Sequence, residues 1–286
     1  MSGVTTAVNE TGSNAFGDYL RARRGTLAPE QLGLPRIGRR RVRGLRREEV
    51  AMAAAISTDY YMRLEQGRDR RPSEQVVDAL ALALRLGPDE TRHLHDLAAA
   101  AGEPASAPLH AEQVSPGLAI LLDSWDRTPA FVLGRFLDVL AFNPLARELL
   151  PVLERGANLI EIACLDPLVP EMFGPRARAV ESSVAALRAS AGAEIDHPHV
   201  RALYDRLAPG NPLFVEIWAR HDVRAKRPGV ERIRHPELGE LQLRYETLAP
   251  NNADRQTLFV YYAEPGSAAA DKLEQLADVA AGSRVP

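Results

Sequence analysis

The sequence predicts a multidomain protein in which an all-α domain is followed by an α+β domain. The chain has 286 residues. Chains of this length usually divide into domains, each with its own hydrophobic core. Apolar residues recur at helical spacing in the first third of the chain, whereas the remainder mixes helical patterns with strand-like alternation. A stretch of small residues and proline at 102–108 is typical of a linker. We therefore expect domains at 14–102 and 114–281, joined by a linker at 103–113.

Charge is distributed unevenly between the two parts. Residues 1–102 contain 16 Arg and 13 acidic residues, whereas the remainder contains 19 Lys and Arg against 25 acidic residues. Such asymmetry indicates that the first part binds a polyanion. Arginine supplies nearly all the positive charge, because Lys226 and Lys272 are the only lysines. Arginine suits bidentate phosphate and guanine contacts, although a GC-rich genome would enrich arginine equally well.

Five short helices account for the first part. Four of them begin at a residue that caps a helix or opens its first turn. The second helix carries glutamates in its first turn, where the helix dipole favours acidic side chains, and the basic loop Gly38–Gly44 precedes it. Five helices in about 90 residues predict a compact all-α domain. The predicted starts are Asn14, a position near Arg46, Ser57, Ser73 and Pro88, and the last helix is expected to end at Gly102.

The second part is predicted to contain a strand hairpin, a helical stretch, three more strands and a final helix. Apolar and polar residues alternate over 241–247, which predicts that one face of this strand is buried and the other is exposed to solvent. The order of elements predicts a small antiparallel sheet with helices packed on one side. The predicted strands are 130–135, 137–142, 230–234, 241–247 and 258–262, and the predicted helices include 176–191, 198–207 and 268–280.

Several classes of protein are excluded at this stage. The single cysteine, Cys164, excludes internal disulfides and multi-cysteine metal sites. No apolar run approaches the length of a membrane span, and the N-terminal residues lack the features of a secretory signal, so we expect a cytoplasmic protein with no membrane partner. The closest histidine pairs lack a recognisable third ligand, and no phosphate loop, nucleophile elbow or zinc-hydrolase motif is present. We expect no metal, no cofactor and no enzymatic activity.

The segment 46–67 pairs two short helices across a tight turn that precedes Ser57. This is the arrangement of a helix-turn-helix. Small side chains at Ala51 and Ala54 allow the two helices to cross closely. The outer face of the second helix would enter the major groove of DNA, although two amphipathic helices joined by a turn also occur in other all-α domains. That outer face carries Thr58, Asp59, Tyr60 and Arg63.

Residues 16–86 resemble the Xre family of bacterial repressors, which have a lambda repressor-like fold. The resemblance rests on the segments Arg46–Ala51, Ala54–Ser57 and Leu64–Gly67. It implies that Arg47, in the place of a phosphate-binding glutamine, contacts the DNA backbone, where a guanidinium strengthens the contact. It also implies that the outer face of the second helix reads base edges. The DNA-binding residues expected here are Arg46, Arg47, Ser57, Thr58, Asp59, Tyr60 and Arg63.

Two further expectations follow from the same resemblance. Arg24 matches an arginine of the first helix that pairs with a glutamate, found here as Glu65, and this pair would be structural. Ala55 replaces the glycine of the turn, which costs about 1 kcal/mol if the position requires a left-handed backbone.

The long basic insertion between Gly25 and Leu45 resembles the MmyB-like subfamily of actinobacterial Xre regulators. Segments of the second part resemble the C-terminal ligand-binding domain of that subfamily. The resemblance implies a PAS-like fold and a small apolar, fatty-acid-like ligand. The matching segments are Phe142–Pro144, His221–Val223, His235–Leu241 and Tyr262–Ser267.

The arginines of the basic loop have two interpretations. They could lie along phosphates or reach into a minor groove, which adds sequence-independent affinity. Alternatively, they form a solvated loop that keeps the domain soluble. These arginines are Arg39, Arg40, Arg41 and Arg43.

Aromatic side chains of the second part could line the effector site, because a small sheet with helices over one face makes a natural pocket. Alternatively, these residues form plain core, as alternating strand residues more often do. The candidate ligand-binding residues are Phe131, Phe142, Phe214, Trp218, Tyr245 and Tyr261.

Together, these observations predict a sequence-specific transcriptional regulator that binds a double-stranded DNA operator as a homodimer and responds to a small apolar effector. The alternative is a DNA-anchored interaction protein whose C-terminal domain recruits a protein partner instead of a ligand.

Overall fold

The computed structural model of the chain shows two compact units. The basic-loop arginines Arg39, Arg40, Arg41 and Arg43 and most of the expected linker lie outside the described residues. The units comprise residues 1–106 with 193–197, and residues 107–192 with 198–286. The described residues are 14–33, 44–69, 71–101, 112–250 and 255–282.

The N-terminal unit is built from helices throughout its described residues, which confirms the all-α prediction. Ser57 and Ser73 cap their helices as expected, because their hydroxyls accept hydrogen bonds from Tyr60 N (3.1 Å) and Val76 N (3.4 Å). The core of the unit is formed by fully buried side chains that include Tyr19, Leu20, Tyr61, Leu64 and Leu94. The elements are α1 (Ala15–Thr26), a short 3₁₀ helix (Pro29–Leu32), α2 (Arg47–Ala53), α3 (Thr58–Glu65), α4 (Glu74–Ala83) and α5 (Pro88–Ala100).

The expected capping role of Asn14 is wrong in its detail. Asn14 precedes α1, but its side chain makes no cap hydrogen bond. The amide Nδ2 of Asn14 instead donates to the carbonyl oxygen of Glu65 (2.9 Å). Asn14 therefore ties the start of α1 to the end of α3.

The second unit contains a five-stranded antiparallel sheet with helices, which confirms the α+β, PAS-like prediction. The strands follow the order β2-β1-β5-β4-β3. Both strands of the first hairpin are shorter than predicted, because a tight turn closes between Gly134 and Leu137 (N···O 2.9 Å). The strands are β1 (Ala130–Leu133), β2 (Val139–Phe142), β3 (Gly229–His235), β4 (Gly239–Leu248) and β5 (Thr257–Tyr262).

Helices lie on both faces of this sheet, whereas the sequence predicted helices on one side. Leu122 packs with Ala130, Val132 and Leu258 on one face, and its helix was not predicted. Helices predicted at 176–191 and 198–207 have those bounds. The helices are α6 (Pro116–Ser124), α7 (Pro144–Leu149), α8 (Leu159–Leu165), α9 (Leu168–Phe173), α10 (Arg176–Ala191), α11 (Pro198–Leu207), α12 (Pro212–Ala219) and α13 (Ala268–Gly282).

None of the helices in the described parts of the chain combines the length and apolar character that crossing a membrane requires.

Candidate functional site

The turn between α2 and α3 sets the angle at which the two helices cross. Ala54 caps the C-terminus of α2 and is buried, and the amide of Ile56 donates back to the carbonyl oxygen of Ala51 (3.0 Å). Between them, Ala55 has φ of 55°, a left-handed conformation that glycine adopts without steric cost. The sequence predicted a steric cost at Ala55 if this position has a left-handed backbone. The position does have that backbone, so the predicted cost applies.

The outer face of α3 carries the side chains expected to read DNA. Ser57 caps the helix and is exposed, as are Thr58 and Asp59, while Tyr60 is half-buried. Arg63 is paired with Asp59 one turn earlier, and its guanidinium lies 5.5 Å from the centroid of the Tyr60 ring. The first two turns of α3 therefore present a hydroxyl, a carboxylate, a phenol and a guanidinium on one exposed surface.

Glu65 at the end of α3 is fully buried and binds two arginines. Its Oε1 accepts from Arg24 Nε on α1 (2.6 Å), which confirms the expected pair, and its Oε2 accepts from Arg47 Nε on α2 (2.7 Å). Burial opposes ionisation of this carboxyl, but the hydrogen bonds from Arg24 and Arg47 outweigh it and hold the pKa of Glu65 below its usual range. One carboxylate thus joins three helices around the candidate DNA-binding face.

The first residues of α2 combine exposure with positive charge. Arg47, the first residue of α2, keeps 44% of its side chain exposed although its Nε is bound to Glu65. Arg46 precedes the helix and is 43% exposed, and its amide donates to Glu49 Oε2 (2.6 Å). Both guanidinium groups lie at a helix N-terminus, a position suited to contact with phosphate.

In the second unit, four of the six candidate ligand-binding residues lie on one face of the sheet. Strand register pairs Phe131 with both Phe142 and Phe259, and pairs Tyr245 with Tyr261. The rings of Phe131 and Phe259 stack at 4.9 Å, and those of Tyr245 and Tyr261 lie 5.6 Å apart. We call these five residues the aromatic face; sequence reasoning left Phe259 out of the candidate set.

A group of polar side chains continues the aromatic face at the β3 edge. Glu231 on β3 accepts a hydrogen bond from the hydroxyl of Tyr261 (3.0 Å). Lys226, which precedes β3, donates from Nζ to the hydroxyl oxygen of Ser182 on α10 (2.8 Å). Burial lowers the pKa of Lys226, against a smaller opposing influence of Glu231. Burial also raises the pKa of Tyr245, and the charge of Glu231 adds to that rise. We call Ser182, Lys226 and Glu231 the polar edge.

The other two candidate ligand-binding residues form a separate cluster. Phe214 and Trp218 lie one turn apart on α12, with ring centroids 5.5 Å apart, and both contact Tyr204 of α11. The guanidinium of the buried Arg188 lies 4.7 Å from the Trp218 ring centroid. Phe214 is fully buried, and these contacts join α10, α11 and α12.

One of the sequence segments that resembled the ligand-binding domain, His235–Leu241, contains a buried hydrogen-bonding histidine. His235 is buried, and its Nδ1 accepts from the amides of Glu237 and Leu238 (3.2 and 3.3 Å). Nε2 must then carry the proton, and it lies 2.9 Å from the carbonyl oxygen of Glu148 on α7. His235 therefore ties the β3–β4 turn to α7.

Sequence reasoning missed the polar edge. Ser182 and Glu231 lie 49 positions apart, and nothing local in the sequence links them. The one available signal was Lys226, since the chain has only two lysines. A metal-binding cluster of three or more His, Cys, Asp or Glu residues does not occur within the described ranges.

Comparison with known families agrees with this division of the chain. A model of the MmyB-like transcription regulator ligand binding domain matches residues 114–276, and a model of a helix-turn-helix domain matches residues 15–94. A search of curated proteins gave no match.

Proposed function

The chain belongs to the MmyB-like helix-turn-helix transcription regulators, and on this basis we propose that it binds its operator through α2 and α3 and responds to a small apolar effector held in the second unit. Both matched families are domains of transcription regulators, and we propose no catalytic role. We take the domain limits as 14–102 and 114–281, and we expect the protein to act on DNA in the cytoplasm.

The observation that carries the proposal is the exposed outer face of α3. A helix whose first turn projects polar side chains fits the major groove, where each base pair has its own pattern of donors and acceptors. Arg63 is the side chain suited to bidentate contact with guanine, and Thr58 and Asp59 are suited to neighbouring base edges. Arg46 and Arg47 supply contacts to phosphates, which position the helix without reading sequence. The basic-loop arginines would add to these backbone contacts.

We propose that two copies bind an inverted repeat whose half-sites lie about one helical turn apart, the usual arrangement for this type of DNA-binding domain. An effector then controls DNA affinity only if it binds the DNA-bound and the free forms with different affinities. The aromatic face supports an apolar effector, because hydrophobic and aromatic side chains together form most of the lining of small-molecule sites.

A DNA-binding titration tests the first half of the proposal. The purified full chain is titrated against the intergenic DNA beside its own gene and against a random fragment of equal length, each at two salt concentrations. We expect preference for the intergenic fragment to persist at the higher salt, because base contacts are less salt-dependent than phosphate contacts. Equal and salt-sensitive binding to both fragments would show that the protein binds DNA through charge alone, without reading sequence, and would contradict the operator assignment.

The second half is tested on the same complex. Removal of bound lipids from the protein should change its affinity for the preferred fragment, and adding them back should restore it. Unchanged affinity after delipidation would instead favour the alternative in which the second unit recruits a protein partner.

A further inference from the structure

The guanidinium of Arg63, on the outer face of α3, lies between two carboxylates. Its Nη1 donates to Oδ2 of Asp59, one turn earlier in the helix. Its Nε lies 4.0 Å from Oδ2 of Asp69, which belongs to the turn after α3. Asp59 is exposed, and the other two side chains are half-buried. A charged cluster therefore lies on the surface that is proposed to meet DNA.

The position of Asp69 is set by the way in which α3 ends. Gly67 has a left-handed backbone (φ 66°), and its amide donates to the carbonyl oxygen of Leu64 (3.1 Å). The amide of Arg68 donates to the carbonyl oxygen of Arg63 (3.0 Å), and these two bonds form a Schellman motif. The amide of Asp69 donates to the same Arg63 oxygen (3.4 Å). The main chain therefore ties Asp69 to the residue that its side chain faces.

The ring of Tyr60 belongs to the same group of side chains. The guanidinium of Arg63 lies 5.5 Å from the ring centroid, within the range of a cation–π contact. Burial raises the pKa of Tyr60, and the charge of Asp69 adds to that rise while Arg63 opposes it. Two carboxylates and one neutral ring thus restrict a side chain that would otherwise sample many rotamers. We call Asp59, Tyr60, Arg63 and Asp69 the Arg63 cluster.

The Arg63 cluster carries one positive and two negative charges. On a surface that meets DNA, the excess carboxylate repels phosphates and weakens binding to every sequence. Specific recognition commonly includes repulsive elements of this kind, which disfavour the wrong contacts. The guanidinium still has donors for O6 and N7 of guanine, because an arginine has five N–H groups and Asp59 takes one of them. The cluster therefore suits contact with a base edge better than contact with the DNA backbone.

We propose that Asp59 and Asp69 are positioning residues, which hold Arg63 in the orientation for bidentate contact with guanine and keep it from binding phosphate. This inference rests on the proposed function, because it concerns the base contact assigned to Arg63 above. Asp59 binds Arg63 through one carboxylate oxygen, so its own contact with a neighbouring base is compatible with this role. Base preference at one operator position then depends on Asp69, a residue outside the recognition helix.

The test measures binding of the full chain to a set of operators in which each base pair is replaced in turn. Arg63→Ala first identifies the position that Arg63 reads, because the preference for the original base is lost there. At that position, Asp69→Asn should lower the preference by about threefold or more, within the range of coupling between residues of one ion-pair network. Asp69→Asn should also bind random DNA more tightly, because a negative charge has been removed. Damage to the fold would instead weaken binding to every DNA.

Three further variants complete the comparison. Asp69→Asn combined with Arg63→Ala should show the same base preference as Arg63→Ala alone, because Asp69 acts through Arg63. Asp69→Glu keeps the charge and should retain most of the wild-type preference. Asp96→Asn is the matched control, since it makes the same substitution on α5, and it should change nothing.

The outcomes separate this inference from the proposed function. An unchanged base preference in folded Asp69→Asn, an equal loss in Asp96→Asn, or a further loss in the double variant would overturn the positioning role while operator binding stands. If Asp69→Asn does not fold, Asp59→Asn decides, because it carries the same expectation at the position that Arg63 reads. A wild-type protein without operator preference, or an Arg63→Ala variant that loses none, would contradict the proposed function itself.

Discussion

Arg47 Nε donates to Glu65 Oε2 over 2.7 Å, while the same carboxylate binds Arg24 through its other oxygen. Arg47 was expected to hold a DNA phosphate, and it keeps 44% of its side chain exposed. The two roles are compatible, because an arginine has five N–H donors and Glu65 uses one of them. Glu65 fixes the direction of Arg47, which would lower the entropic cost of ordering this long side chain in the phosphate contact proposed above.

Glu65→Gln should destabilise the N-terminal unit by about 3 kcal/mol, since removing one member of a buried ionic network leaves its partners uncompensated. The loss should also depend on pH. The folded-state pKa of Glu65 lies below its usual value, so its contribution is present above the unfolded-state pKa, about 4.3, and disappears as pH falls through the lower folded-state value. Urea unfolding of both proteins at neutral pH and at progressively lower pH measures this difference.

Glu48→Gln provides the control for that series. Glu48 lies in the same first turn of α2 but has 64% of its side chain exposed, and exposed ion pairs contribute little. Its midpoint should stay close to that of the wild type at every pH. A gap between wild type and Glu65→Gln that persists unchanged at low pH would contradict the assigned role of the Glu65 charge.

Arg63→Ala and Arg47→Ala should weaken DNA binding in different ways. Arg63→Ala should cost about 1–3 kcal/mol on the preferred operator and little on random DNA, because a bidentate base contact is lost. Arg47→Ala should weaken binding to both DNAs alike and reduce the salt slope by about 0.9, the value for one phosphate. Competition titrations at several salt concentrations separate the two patterns.

Arg92→Ala is the matched control for the loss of one positive charge, since Arg92 is exposed on α5 and pairs only weakly with Asp89 (3.5 Å). It should change neither specificity nor slope. Equal loss of specificity from Arg63→Ala and Arg47→Ala would refute the division between base and phosphate contacts.

Ala55→Gly should stabilise the N-terminal unit by up to about 1 kcal/mol. The left-handed backbone at Ala55 (φ 55°) costs an L-residue about 1–2 kcal/mol. Glycine removes this cost, and its greater freedom in the unfolded chain offsets only part of the gain in stability. Ala54→Gly, one residue earlier, is the matched control, because Ala54 is buried at a negative φ of −88° and should be destabilised. Thermal unfolding of the full chain measures both, and a lower midpoint for Ala55→Gly would contradict the strain argument.

Local signals predicted the helices in which a capping or first-turn residue is followed by one apolar stripe at helical spacing. Ser57, Ser73 and Pro88 mark helix starts because a capping oxygen or a fixed φ acts within one turn of chain. The same signals, Ser115 followed by Pro116, were present at the start of α6, where the Ser115 hydroxyl accepts from Leu118 N (3.3 Å). That helix was missed because its apolar residues do not form one stripe, and Ile120 remains 70% exposed.

The sites were less predictable than the elements, for a physical reason. The candidate DNA-binding face lies within one helix, so helical spacing alone groups Asp59 with Arg63. The polar edge joins Ser182 to Lys226 across 44 positions, and the aromatic face depends on the register of β1 against β5. Pairing of distant strands is decided by the packing of the whole sheet, so the sequence did not reveal that Phe259 lies beside Phe131.

Asn143 should be among the residues of the second unit that tolerate substitution least. It is fully buried, and its Oδ1 accepts from the amides of Ala130 (3.1 Å) and Ala146 (2.9 Å). Its Nδ2 donates to the carbonyl oxygens of Trp125 (2.9 Å) and Thr128 (2.7 Å). One side chain therefore connects the end of α6, the start of β1 and the first turn of α7. Every donor and acceptor site of its amide group is used.

Asn143→Asp separates the two halves of this role. Aspartate keeps acceptors for the two amides but replaces the donor with a charged oxygen that faces two carbonyl groups. One unsatisfied buried group costs about 1–3 kcal/mol of folding stability, and we expect this variant to lose more than that. Its stability should improve as pH falls, since a protonated carboxyl can again donate. Asn143→Ala should be destabilised without that pH dependence. Urea unfolding at neutral and acidic pH distinguishes the two, and an Asn143→Asp variant as stable as the wild type at neutral pH would show that the donor pair is dispensable.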